Sequence, residues 1–322
     1  MAIGRNRHHS TMHAHADDHH GERLRADRKR LGAALALIAG FMCVEVVAGL
    51  LSNSLALLAD AGHMLTDAAG LGLALAAAWL AASPATPQRS YGLRRAEILA
   101  ALANGVALVA IAIWIVVASV RRLDDPPETL GGWMLAVGVL GLGVNVAAAV
   151  VVAGGRHGSM NVQAAYRHVL ADLLGSAGVI VAALIVLTTG WRYADPLAAL
   201  AIAVLIVASS WAVLRDSVGV LLEATPRGVD AHDVGRTMAA HAGVREVHDL
   251  HIWTITSGFP ALSAHVLVDP GTDCHAVRKE LEGVLAERFS LTHTTLQVEH
   301  AGAAASPVAI GEPFRREGPV GR

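Results

Sequence analysis

The chain has 322 residues, of which 54% are hydrophobic and only 16% are charged, and its mean hydropathy is +0.48. This apolar content is too high for a soluble domain of this length and predicts membrane spans. A net charge of −2 provides no basic surface for nucleic acid, and two cysteines in unlike surroundings indicate no disulfide framework.

The first 30 residues are polar and rich in histidine. Six histidines precede residue 21, and Asp17 and Asp18 lie among them. We see no apolar core of a signal peptide here and predict a disordered, cytosolic tail over 1–30. A histidine-rich tract can bind metal loosely, and a solubilising tail is the equally weighted alternative.

Six apolar runs in the rest of the chain are long enough to cross a bilayer as helices. Ser52-Asn53-Ser54 divides the first two, Pro126-Pro127 precedes the fourth, and Asp195-Pro196 opens the sixth. We therefore predict an α-helical membrane bundle over 31–215. Its six transmembrane helices are predicted at 32–52, 56–81, 97–120, 131–153, 163–188 and 196–214.

The distribution of arginine and lysine predicts that both termini are cytosolic. With six spans, most basic residues of the loops fall on the side of the N-terminus. They are Arg23, Arg25, Arg28, Lys29, Arg30, Arg89, Arg94, Arg95, Arg156, Arg215 and Arg227. Arg121 and Arg122 are exceptions on the other side, where Asp124, Asp125 and Glu128 could pair with them.

Two of the predicted spans carry the same pattern of ionisable residues. LLADAGHMLTD contains His63 and Asp67, and AYRHVLADLLGS contains His168 and Asp172. Positions i and i+4 lie on one face of a helix, one turn apart. Ionisable groups within a membrane are costly and indicate function. If the two helices face each other, these four side chains form a metal site.

Two imidazoles and two carboxylates suit Zn²⁺, because the carboxylates offset the charge of the ion where the dielectric is low. An interhelical hydrogen bond explains any one of these residues, but the repeated spacing favours metal. Asp60 lies on the face of His63, and we predict that it orients this histidine. A site that opens to each side in turn transports its ion, and protons compete with metal for imidazole. We therefore expect proton-coupled zinc transport.

Residues 216–300 change to the pattern of a soluble domain. Helical and strand-like segments follow one another at 229–243, 244–253, 261–269, 273–289 and 294–299. The order α-β-β-α-β predicts a small α+β domain with helices on one face of a sheet. Simple alternation in the first strand places His248 and His251 on opposite faces. We predict a disordered tail over 301–322.

With these elements in place, the chain resembles the zinc-transporting branch of the cation diffusion facilitator family over about residues 30–300. The matching segments are SNSLALLADAGHMLTD, YGLRRAEILAALANG, NVQAAYRHVLADLLGS, ADPL, VHDLHIW, SAHV and TLQVE. The resemblance implies a homodimer that exports cytosolic Zn²⁺ in exchange for protons, with a ferredoxin-like, metallochaperone-like cytosolic domain. It implies a transport site at His63, Asp67, His168 and Asp172. Two histidines argue for zinc and leave cadmium, cobalt and nickel open. The absence of organelle signals predicts the inner or plasma membrane, and the arginine-rich, lysine-poor composition indicates a GC-rich bacterium.

The resemblance also implies a regulatory zinc site in the cytosolic domain. Its ligands fall on three residues of the matching segments, namely His248, His265 and Glu299. His293 is the candidate for a further ligand, Gln297 is the alternative to it, and His232 is a weaker candidate near the dimer interface. Zinc bound there would close the dimer and bias the membrane halves toward one state.

Two other classes of function compete with a transporter. An intramembrane metallohydrolase needs an open coordination position and a general base, as in H-E-x-x-H, and the sequence has no such motif. We therefore expect no enzyme. A membrane zinc sensor or scaffold, which binds zinc without moving it, is hardly separated from a transporter by the sequence.

Overall fold

The computed structural model describes residues 36–37, 39–153, 160–301 and 313–315, and it describes their side chains except at 148–149, 151–153 and 160–172. The predicted N-terminal tail lies outside these ranges. The contacts divide the chain into two units. One unit comprises residues 1–71 and 106–210, and the other comprises residues 72–105 and 211–322.

Six helices follow the predicted spans in order. They are α1 at Ala39–Ser52, α2 at Leu55–Ala81, α3 at Ala96–Asp124, α4 at Gly131–Ala153, α5 at Met160–Thr189 and α6 at Ala194–Leu221. The last helix ends beyond the predicted residue 214, because Arg215 and Asp216 end the apolar run without breaking the helix. Much of the packed interior in the first unit is alanine, which lets helices approach closely.

Three of these helices, α2, α3 and α6, are long and apolar enough to cross a membrane. The apolar stretches found in the other three, among the described residues, are shorter. Large apolar side chains are nevertheless exposed along the helices, such as Leu50 at 66% and Val204 at 67%. Such surfaces indicate contact with lipid rather than water. The structure thus supports a helical membrane domain, and the number of six spans stays a prediction.

The buried carboxylate of Asp195 accepts hydrogen bonds at the end of the bundle where α2 begins. Oδ2 of Asp195 accepts a hydrogen bond from the backbone N–H of Leu55 at 2.8 Å, and Oδ1 accepts one from the Ser54 hydroxyl at 2.6 Å. An acid at this position satisfies free N–H groups and complements the helix dipole. Arg122 lies 3.5 Å from Asp195 and donates to the carbonyl of Asn53 at 2.7 Å. Arg122 thus pairs with Asp195 and Asn53, and not with the nearby acidic residues that the sequence offers.

The second unit contains a four-stranded sheet with two helices. Its elements are α7 at Ala231–Ala239, β1 at Val244–Thr256, β2 at Phe259–Val268, α8 at Cys274–Phe289, β3 at His293–His300 and β4 at Phe314–Arg315. The strand order is β3-β2-β1-β4, with β2 parallel to β3 and the other pairs antiparallel. The predicted α-β-β-α-β order is confirmed.

Both helices of this unit pack on the same face of the sheet. Val234 of α7 and Leu281 of α8 share a buried cluster with Val247 and Val266 of the central strands. Asp273 begins α8 by accepting hydrogen bonds from two backbone N–H groups of its first turn. The prediction of a disordered tail was wrong at Phe314–Arg315, which pairs with β1 as an edge strand.

A β-bulge in β1 changes which side chains share a face. His248 pairs with His265, but His251 pairs with Ser263, so one extra residue is inserted between them. Asp249 in this insertion has a positive φ of 50°. His248 and His251 therefore lie on the same side of the sheet, opposite the helices. The prediction of opposite faces was wrong because it assumed uninterrupted alternation.

Candidate metal sites

The middle of α2 carries the first group of predicted site residues. Nε2 of His63 lies 3.4 Å from Oδ2 of Asp67, and the two side chains are 15% and 21% exposed. Asp60, one turn earlier, is 3% exposed. An imidazole and a carboxylate thus meet one helical turn apart, with a third ionisable group buried beside them.

Asp60 lies against the backbone of α5 at Gly175. A Cβ atom built on Gly175 would lie 2.9 Å from Oδ1 of Asp60, so a larger residue would force the carboxylate or the helix to move. The two helices run in opposite directions, because Asp195, which follows the end of α5, caps the start of α2. α5 therefore passes the face of α2 that carries the ionisable residues.

His168 and Asp172 belong to the helical backbone of α5, but their side chains lie outside those that the structure describes. Just beyond them, α5 takes part in a buried polar contact. Nδ2 of Asn145 in α4 donates a hydrogen bond to Oγ of Ser176 at 3.2 Å, and both residues are 1% exposed. Such an interhelical bond fixes α4 against α5 close to the contact with Asp60.

The second unit brings two of its predicted site residues together. The imidazole rings of His248 and His265 lie on facing strands with their centroids 5.4 Å apart. Gln297 of β3 is in register with His265, and Glu299 follows it on the same side of that strand. Gln297 donates a short hydrogen bond to Oε1 of Glu299. The amide thus engages the carboxylate that was predicted as a ligand.

The two weaker candidates lie elsewhere in this unit. His293 is in register with Ala261, about 13 Å along the strand from the level of His265, and it contacts Phe259 and Tyr91. His232 lies on α7, on the helical side of the sheet, 5.6 Å from the ring of Phe314. Among the residues whose side chains are described, no three His, Cys, Asp or Glu residues converge as a metal site.

Glu246 is a residue near the histidine pair that the sequence prediction overlooked. Its Oε1 lies 3.5 Å from Nδ1 of His248, and Arg315 donates to its Oε2 at 3.0 Å. A signal was present in the sequence, because a residue two positions before His248 shares its side of a strand. The bond to Arg315 had no signal, because it depends on an edge strand that was not predicted.

Two family profiles match the chain. The cation efflux transmembrane domain matches residues 31–222, and the cation efflux protein cytoplasmic domain matches residues 226–301. A solved structure, the metal-bound C-terminal domain of the CzcD transporter from Cupriavidus metallidurans, is 42% identical in sequence. It covers 22% of this chain and 99% of its own, with a TM-score of 0.22.

Several curated bacterial proteins are similar over most of their length. A cadmium, cobalt and zinc/H(+)-K(+) antiporter of Bacillus subtilis is 40% identical over 85% of this chain and 89% of its own. The metal cation efflux system protein CzcD of Cupriavidus metallidurans is 41% identical over 92% of this chain and 96% of its own. The zinc transporter ZitB of Escherichia coli is 42% identical over 89% of this chain and 93% of its own.

Proposed function

The chain belongs to the cation efflux family, and from that premise we propose that it exports Zn²⁺ from the cytosol in exchange for protons. The family transports cations, so the chain is not an enzyme. Relatives that are 40–42% identical to this chain carry names that include zinc, cadmium and cobalt. The proposed ligands are His63, Asp67, His168 and Asp172. The contact of Asp60 with Gly175 carries this proposal.

That contact fixes the relative height of α2 and α5. Residues of an α-helix rise about 1.5 Å each, so equal steps away from Asp60 and Gly175 along antiparallel helices stay level. Three and seven residues after Asp60 in α2, and three and seven residues before Gly175 in α5, stand the four proposed ligands. The level pairs are His63 with Asp172 and Asp67 with His168. Each histidine is then opposite an aspartate of the other helix, which supports one shared site.

The charge of this ligand set favours a divalent ion. Two carboxylates balance Zn²⁺ and two neutral imidazoles complete a four-coordinate shell, which matters in a medium of low dielectric. The carboxylate of Asp60 is 3% exposed and one turn from His63. We assign it the role of orienting the ligands rather than binding the ion.

Protons and zinc compete for the same groups. Metal binds neutral imidazole and ionised carboxylate, so protonation of the site releases the ion. In alternating access, a site loaded with zinc on the cytosolic side gives up the ion when protons enter from the other side. An opposing proton gradient therefore drives export.

We further propose the arrangement of the protein in the membrane. Residues 31–215 form six spans in the inner membrane of a bacterium, with both termini in the cytosol. Residues 216–300 form a regulatory domain through which two copies of the chain associate. Zinc bound by His248, His265 and Glu299 stabilises that homodimer.

The test is zinc uptake into proteoliposomes with an imposed pH gradient. Wild-type protein should take up zinc at a rate that follows the gradient. His168→Ala and Asp67→Ala should each lower the rate by more than about 100-fold, beyond the usual cost of losing a residue that only orients a ligand. His241→Ala, which alters a histidine outside the unit that holds the proposed ligands, is the matched control and should transport normally.

Two results would contradict the proposal. Uptake that ignores the pH gradient would exclude proton coupling. Stoichiometric zinc binding by the wild type without any uptake would identify a zinc sensor or scaffold instead.

A further inference from the structure

The tail strand β4 pairs with the edge of β1 in a defined antiparallel register. Arg315 is in register with Glu246, and Phe314 is in register with Val247. The Phe314 ring packs on Gly235 of α7, where a Cβ atom would lie 2.5 Å from the ring. A larger residue at this position would force the ring to move, so α7 and β1 together form a defined seat for two residues of the tail.

Glu246 connects this tail strand to the cytosolic histidine pair. Its Oε2 accepts a hydrogen bond from Nε of Arg315 at 3.0 Å, and its Oε1 lies 3.5 Å from Nδ1 of His248. The second distance is too long for a good hydrogen bond. Nδ1 of His248 is buried and has no hydrogen-bond partner among the described residues. A buried nitrogen without a partner, next to a carboxylate and a second imidazole, is an incomplete polar site.

We propose that Glu246 is a metal ligand of the cytosolic site and that the tail, through Arg315, competes with the metal for its carboxylate. With the tail seated, Arg315 holds the carboxylate and places a positive charge beside the site. When a divalent ion binds His248 and His265, Glu246 turns to the ion and Arg315 is released. The proposal rests on the proposed zinc-binding role of this domain.

Two physical effects of Arg315 act in the same direction. The guanidinium removes a carboxylate from the ligand set, and its charge repels a cation at the histidine pair. Arg315 is 70% exposed, so its charge is partly screened and the coupling is modest. Coupling is reciprocal, so zinc must loosen the tail by the factor by which the tail weakens zinc.

The experiment measures zinc affinity in the full-length protein with Asp67→Ala, so that the titration reports the cytosolic site. Arg315→Gln should tighten zinc binding on the order of 5-fold, the lower end of ordinary coupling between sites. Phe314→Ala, which removes the seat contact and keeps the charge, should also tighten it. Arg288→Gln is the matched control, because it removes an arginine that pairs with Asp233 of α7.

A double-mutant cycle with Glu246→Gln separates the two effects. Glu246→Gln should weaken zinc binding and abolish most of the gain from Arg315→Gln. Hydrogen exchange at residues 313–315 should rise when zinc is added. An unchanged affinity in Arg315→Gln, or an equal gain with and without Glu246, overturns the inference while leaving zinc transport intact. If the Asp67→Ala protein binds no zinc, the cytosolic zinc role and this inference both fail.

Discussion

Replacing Gly175 by alanine tests the contact on which the proposed transport site depends. The added Cβ would lie 2.9 Å from Oδ1 and 3.6 Å from Cγ of Asp60. Nonbonded heavy atoms pack best at about 3.5 Å or more, so the carboxylate or the helix has to move by about half an ångström. With Asp60 only 3% exposed, the surroundings leave little space for that movement.

The expected cost follows from the overpacking of a buried contact, about 1–3 kcal/mol. If this cost falls on the zinc-bound state, the KM for zinc rises by about 5- to 150-fold. Ligand geometry tolerates displacements of only about half an ångström, so the displacement is large enough to reach the metal site.

The assay is zinc uptake by proteoliposomes over a range of zinc concentrations. Gly178→Ala on the same helix is the matched control, because a Cβ atom there meets nothing within 4 Å. The double variant Gly175→Ala with Asp60→Ala should regain thermal stability and still transport poorly, because it loses the carboxylate that we propose orients the ligands. If Gly175→Ala transports like wild type, the register between α2 and α5 is not what assembles the site.

Two further substitutions test the stability of the helix ends near the sites. Asp195→Asn should lower the free energy of unfolding by about 1–3 kcal/mol, because the carboxylate is fully buried and accepts several hydrogen bonds. Asp216→Asn, at an exposed carboxylate, is the control in thermal melting, and equal effects of the two substitutions would contradict this account. Ser290→Gly should raise the free energy of unfolding of the second unit by about 0.5–1 kcal/mol, because Ser290 caps the end of α8 with a φ of 57°. A lower stability of Ser290→Gly in denaturant titration would refute that reasoning.

Local signals in the sequence were sufficient for most of the helices and strands. The Ser52-Asn53-Ser54 turn is present, and Asn53 has the positive φ that asparagine tolerates well. The helix predicted over 273–289 is found at Cys274–Phe289, because Asp273 is a strong N-cap and the apolar residues after it have helical spacing.

Features that depend on distant partners could not be predicted in this way. The bulge at Asp249 shifts the faces of β1, and nothing in the local alternation reveals it. The strand at Phe314 exists because Gly235 and the edge of β1 accept it, and Glu246 on that edge lies 69 residues before its partner Arg315. Repeated spacing predicted His63 and Asp67 as a pair. Only the contact between Gly175 and Asp60 shows which part of α5 lies level with that pair.

The junction around Asp195 also limits how the bundle can move. It ties the start of α2 to the start of α6 and, through Arg122, to the end of α3. The backbone N–H of Leu130, just before α4, adds a hydrogen bond to the carbonyl of Ser52 at the end of α1. Hydrogen bonds and an ion pair therefore connect five helix ends at one end of the bundle. We expect that end to stay closed during transport, because opening it would break these buried hydrogen bonds.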